Sequence, residues 1–193
     1  MHQVFVSDGI VLQKKGIGEA NSLVSILTEE LGFVRAKATS TRAESSKLRY
    51  GIELLTSARF SFVRGRHEWK LVGVENISKT LLSSHVRNRV AAGRITKLLL
   101  RLIHGEDDGR ALYQTVKQGL TLLAEAPNTE DAQSVECVLV LRILSHLGYL
   151  PHSPALAPFI EGDFASAELA VSAQASRTVL IRAINESLSQ TGL

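Results

Sequence analysis

Few residues in this chain have the types and spacing that bond chemistry requires. Gly16-Ile17-Gly18-Glu19-Ala20-Asn21 opens like a dinucleotide-binding loop. In such a loop the glycines bring backbone close to a pyrophosphate at the amino end of a helix. Here the third glycine is missing and a β-rich run follows, so nucleotide binding is not expected. Glu106-Asp107-Asp108 offers three carboxylates, but adjacent side chains point in different directions, as in a solvated turn. Cys137, His146 and His152 are the only thiol and imidazole groups near one another. Zinc asks for four ligands at short paired spacing, and Cys137 sits in an apolar run where a thiol behaves as a small hydrophobe. The sequence holds no phosphate-binding loop, no Gly-x-Ser-x-Gly and no His-Glu-x-x-His. We therefore expect a protein that is not an enzyme and that uses no metal or cofactor.

What remains is cationic. Between positions 35 and 70 stand Arg35, Lys37, Arg42, Lys47, Arg49, Arg59, Arg64, Arg66 and Lys70, against Glu44, Glu53 and Glu68. Phe33, Tyr50, Phe60, Phe62 and Trp69 are interleaved with them. A groove of cations that tracks phosphates, with rings on which bases stack, binds single strands. The same rings would serve equally well as the core of a small barrel.

The elements that carry these residues change character once. Up to Ser78 the pattern is that of strands: Val4-Phe5-Val6, Ile10-Val11-Leu12, Ser22 to Leu27, Phe33 to Thr39, Leu54 to Val63, and His67 to Ile77 after the turn Arg64-Gly65-Arg66. In Phe33–Thr39 the alternation puts Arg35 and Lys37 on the side of Phe33, away from Val34. About five strands in so short a span predict a barrel rather than an α/β unit. After Ser78 the period is helical. Ala91, Ile95, Leu98 and Leu102 form an apolar stripe, with Arg87, Arg94, Lys97 and Arg101 within ~80° of one another beside it. Leu112, Val116, Leu120 and Leu123 mark a second helix that ends at Pro127. Ala132–Leu147 is apolar nearly all round, which predicts a central buried helix stopped at Gly148. Residues 151–164 contain three prolines and read as a loop; Val179, Leu180, Ala183, Ile184 and Leu188 give a last amphipathic helix. The predicted fold class is α+β: an oligonucleotide-binding (OB) β-barrel over residues 1–78, then an all-α helical domain over 79–193.

The charge follows the same division. The 193 residues carry a net charge of +3. Residues 1–110 hold 18 Lys/Arg and 11 Asp/Glu, whereas residues 111–193 hold 4 and 8. A basic first part joined to an acidic second part suits a polyanion-binding module attached to a different one. The single cysteine leaves no pair for an internal disulfide. The amino end lacks the build of a signal peptide and no apolar run reaches the ~18 residues needed to span a bilayer, so the expected compartment is the cytoplasm, with no membrane partner.

At these residues the sequence resembles the RecO family of bacterial recombination mediators. The likeness runs through Gly9-Ile10-Val11-Leu12, Gly18-Glu19-Ala20-Asn21, Leu27-Thr28-Glu29-Glu30-Leu31-Gly32-Phe33-Val34-Arg35, Arg42, Ser46-Lys47-Leu48-Arg49 and Arg64-Gly65-Arg66-His67-Glu68. It continues in Leu144-Ser145-His146-Leu147-Gly148-Tyr149-Leu150-Pro151. The resemblance implies an OB barrel with a helical domain. It also implies DNA repair and homologous recombination by binding single- and double-stranded DNA, annealing strands, and helping to load recombinase onto strands coated by single-stranded DNA-binding protein. The implied partners are RecR and the acidic tail of that coating protein. Three departures stand out: Thr39-Ser40 replaces a lysine-glycine pair, Ile52-Glu53-Leu54-Leu55 replaces leucine-glutamine-proline-phenylalanine, and the four-cysteine zinc module of many members is missing after Pro151. The buried helix also lacks the family's basic residues at Cys137-Val138-Leu139-Val140. The chain thus reads as a short, zinc-free member.

The expected DNA-binding residues are Arg35, Lys37, Arg42, Lys47, Arg49, Arg64 and Arg66. For an acidic, apolar-ended tail the candidates are Arg87, Arg94, Lys97, Arg101 and Arg142, which flank apolar helical surface as a docking pocket requires. The alternative is a non-enzymatic protein-interaction subunit that keeps the fold and has weak or no DNA binding.

Overall fold

In the computed structural model, residues 3–41, 46, 48–66, 68–103 and 109–190 are described. Five strands close into a barrel: β1 (Val4–Ile17), β2 (Asn21–Thr28), β3 (Phe33–Ala38), β4 (Ser57–Arg64) and β5 (Trp69–Ser78). Their order around the barrel is β1-β2-β3-β5-β4, antiparallel except for the β3–β5 pair, which is parallel. This is the OB arrangement expected from the sequence.

The two short strands expected at the start are one strand of 14 residues. Its first part, Val4–Ile10, pairs with β4, and its second part, Gly9–Ile17, pairs with β2. The register shifts between Val11 and Gln13, which makes Leu12 the extra residue of a bulge. A bulge bends its strand and increases the local twist, and that bend lets one strand serve two neighbours. Gly9 stands where both partners meet: a side-chain carbon there would lie 2.7 Å from Ile26 Cγ2 and 3.1 Å from Phe60 Cδ2.

Alternation fills the interior. Val24, Ile26, Val34, Ala36, Phe60 and Phe62 are each fully buried in the barrel core. Trp69 joins them, edge-on to Phe5 at 5.3 Å and to Phe62 at 6.2 Å between ring centres. The segment between β3 and β4 contributes Ile52, also fully buried.

The second part of the chain is helical. A 3-10 turn (Thr80–Ser83) precedes α1 (Val86–Leu102), α2 (Arg110–Glu125), α3 (Thr129–His146), α4 (Ala157–Glu161), α5 (Ala167–Ala175) and α6 (Arg177–Gln190). Helix α3 is central, touching α1, α4, α5 and α6. Asn128 caps it by accepting a hydrogen bond from the Asp131 amide at 2.9 Å. On α1 the buried residues are Asn88, Ala91, Ala92, Ile95, Thr96, Leu99 and Leu102. Leu98, placed in the stripe by its spacing, is half-buried, and its neighbour Leu99 takes the core position. Helix α4 lies in the stretch expected to be loop, and α5 was not foreseen; Ser166 caps α5 by accepting from the Glu168 and Leu169 amides.

Among the described residues the chain forms two compact units, 3–82 with 109–113, and 83–103 with 114–190. The opening residues of α2 therefore group with the barrel. Arg110 reaches Glu30 at 3.4 Å, and Tyr113 is 1% exposed.

Candidate nucleic-acid interface

On the outer surface of an OB barrel, the β2–β3 face and the loops β1–β2 and β4–β5 are where oligonucleotides bind. Here that surface is set by register. Val24 and Ala36 point inward and are fully buried, so their neighbours Leu23, Arg35 and Lys37 point outward. Lys15 on β1 is opposite Leu23, and Leu23 is opposite Lys37. On the other side of β3, Lys37 is opposite Lys70 of β5. One row across four strands thus reads Lys15, Leu23, Lys37, Lys70. Strands lie about 4.8 Å apart, so Lys37 and Lys70 are immediate neighbours and Lys15 is roughly 10 Å from Lys37. Arg35, exposed, stands two residues along β3 with its guanidinium 5.4 Å from the Phe33 ring centre. Arg64, the last residue of β4, and Arg66, in the loop that leads into β5, are both exposed, and Arg64 lies over Trp69 at 5.2 Å.

The fold gathers Arg35, Lys37, Arg64 and Arg66 from the expected set. Arg42 and Lys47 lie outside the described residues. Arg49 sits apart: its guanidinium is 5.9 Å from the ring centre of Tyr50, in the segment packed toward the far end of β5. Lys15 and Lys70 stand outside the expected set, although Lys70 belongs to the cation run between 35 and 70. Only the pairing of strands brings them into the row. Of the five rings considered for stacking, Phe33, Phe60, Phe62 and Trp69 are buried, and Tyr50 is exposed.

Elsewhere on the barrel, charges are neutralised in register. Asp8 is opposite Arg59 and accepts from its Nε at 2.9 Å, and Arg59 is opposite Glu75. The hydrogen bond to Asp8 raises the Arg59 guanidinium pKa. Lys14 pairs with Glu53 at 2.7 Å.

The helical candidates have mixed surroundings. Arg94 makes a bidentate pair with Glu136, 2.6 Å from each oxygen. Arg87 donates to the Pro127 carbonyl and is half-buried. Lys97 and Arg101 are exposed. Arg142 is buried, donating to the Phe159 carbonyl at 2.9 Å and to that of Gly162, with its guanidinium 4.5 Å from the Phe164 ring centre. Burial pulls its pKa down. These two donors hold backbone carbonyls, so the side chain ties α3 to the α4 segment. Burial pushes the Cys137 thiol up, which keeps it protonated, and His146 Nε2 lies 2.9 Å from Thr115 Oγ1. Among the described residues, no helix is long and apolar enough to cross a membrane.

Residues 1–78 match the family model described as Recombination protein O N terminal, and residues 87–154 match Recombination protein O C terminal. Among curated proteins, the DNA repair protein RecO of Gloeothece citriformis is 28% identical over 152 residues, covering 78% of this chain and 54% of the relative. That of Dehalococcoides mccartyi is 28% identical over 148 residues, covering 76% and 57%. That of Heliobacterium modesticaldum is 29% identical over 150 residues, covering 77% and 53%. The chain spans a little over half the length of these relatives.

Proposed function

Since this chain belongs to the RecO family, whose curated members are named DNA repair proteins, we propose that its barrel binds single- and double-stranded DNA through the Lys15/Lys37/Lys70 row with Arg35, Arg64 and Arg66. The carrying observation is the rung on which Lys37 faces Lys70. Like charges directly across a ladder destabilise it, and a phosphate backbone laid along the row removes that cost. Bound cations shield strand from strand, so the same surface promotes annealing of complementary strands. The protein acts by binding and positioning in the cytoplasm and makes or breaks no covalent bond. In this reading it helps load recombinase onto strands coated by single-stranded DNA-binding protein, with RecR as a partner. Lys97 and Arg101 on α1 receive the acidic tail of the coating protein.

The test is a salt titration of a labelled single-stranded oligonucleotide. Binding should weaken with salt, and each lysine or arginine neutralised in the row should flatten the logarithmic slope by ~0.7 for a single strand. Unchanged binding by an Arg35→Glu/Lys37→Glu/Lys70→Glu variant overturns the assignment. An unmodified protein that binds no oligonucleotide leaves the interaction-subunit reading in its place.

A further inference from the structure

Resting on the reading that the barrel binds DNA, we propose that Tyr50 is a stacking platform for one unpaired base, which makes it the residue that distinguishes single strands from duplex. Of the ten aromatic residues in the chain, Tyr50 alone is exposed, at 61%. Rings are ordinarily drawn inward, and the nine others here are buried or half-buried.

The ring is held in place. It lies on a turn closed by hydrogen bonds from the Arg49 amide to the Ser46 carbonyl and from the Gly51 amide to the Leu48 carbonyl. On the inner side of that turn, Leu48 packs against the barrel core and Ile52 is fully buried within it. Gly51 presses against β5 so closely that a side-chain carbon would fall 2.3 Å from Val74 Cγ1 and 3.2 Å from Ile77 Cδ1. The backbone on both sides of Tyr50 is therefore fixed, and a preorganised ring loses little freedom when a ligand lands on it.

Two cations accompany it. Arg49 lies 5.9 Å from the ring centre and the Lys79 ammonium 5.7 Å. A base stacked on the ring brings its own 5′ and 3′ phosphates alongside, where these cations stand. An exposed cation–π contact is weak, ~0.5–1 kcal/mol, so the cations can turn from ring to phosphate at little cost. In a duplex the base faces are covered by their neighbours, and the platform has nothing to receive.

The experiment uses the full chain with three labelled probes of equal length: oligothymidylate, the same backbone carrying abasic sites, and a duplex. Stacking on a protein ring corresponds to about a five- to hundredfold change in affinity per base. Tyr50→Ala should weaken oligothymidylate binding by at least fivefold, with abasic and duplex binding changed less than twofold. Tyr50→Phe should bind like the parent. A photoreactive 5-iododeoxyuridine strand should cross-link to residue 50 of the parent. If Tyr50→Ala binds oligothymidylate as tightly as the parent, or loses all three probes equally, the platform is refuted while DNA binding by the barrel stands. If the parent binds none of the three, both readings fall.

Discussion

Lys37 and Lys70 face each other across the parallel β3–β5 ladder, two like charges on one outward rung. The same barrel places Asp8, Arg59 and Glu75 in register elsewhere, so the fold is able to pair opposite charges where stability asks for it. The lysine rung is a place where it does not.

Replacing Lys70 with Glu should therefore separate stability from binding. The variant converts a repulsive pair into an attractive one and should gain about 0.2–1 kcal/mol. Its affinity for single-stranded DNA should fall, with a flatter salt dependence. Denaturant titration and salt-dependent anisotropy on the same preparation check both halves; a variant that binds better or melts earlier contradicts the account.

Phe62 is fully buried and contacts both Phe60 and Trp69 at ring-centre distances of 6.1 and 6.2 Å. Phe62→Ala should cost about 3–5 kcal/mol. Tryptophan fluorescence reports the loss, because the single Trp69 of the chain sits beside the void.

Tyr113 gives the barrel unit an alkaline limit. Burial, with help from Asp8 and Glu29, pushes its phenol up to about 12 from an ordinary value of 10. The protonated phenol is thus favoured by folding. This contribution is full below pH 10 and is lost as pH rises from 10 toward 12, since the unfolded chain gives up the proton first. The loss should be about 2–3 kcal/mol. Urea midpoints should fall across that window in the parent and much less in Tyr113→Phe.

Arg142 and the α1 cations should answer differently to substitution. Arg142→Gln removes charged donors from the buried Phe159 carbonyl and the half-buried Gly162 carbonyl and should cost about 2–3 kcal/mol. Lys97→Glu/Arg101→Glu alters exposed positions and should change stability by less than about 0.5 kcal/mol. That double variant should lose a labelled acidic tail peptide at low salt. Retention of the peptide by the double variant removes α1 from the docking surface.

The barrel was legible because alternation is a local signal: Val34, Ala36 and Ala38 had to face one way if Arg35 and Lys37 faced the other. The sequence shows two short β-rich runs, Val4-Phe5-Val6 and Ile10-Val11-Leu12, with Ser7-Asp8-Gly9 between them, whereas in the fold they are one strand in which Gly9 serves close packing and Leu12 supplies the bend. Helix α5, rich in alanine, carries little hydrophobic periodicity, and its one clear sign was the cap at Ser166. Arg142 was read as a docking cation because a sequence shows charge but not where a guanidinium's donors go. The Lys37–Lys70 rung depends on a parallel pairing of strands more than 30 residues apart, which the strand pattern alone does not specify.

The membership of residues 109–113 in the barrel unit bears on how the chain is made. On a ribosome, all five strands emerge before the segment carrying Leu112 and Tyr113, and α1 is synthesised in between. At about 5–20 residues per second, the barrel waits seconds for its last buried side chains. Neither unit is a single stretch of chain, so a gene cut after residue 78 would encode all five strands without that closing piece, and the other half would hold the whole helical unit while carrying the barrel's missing segment inside it.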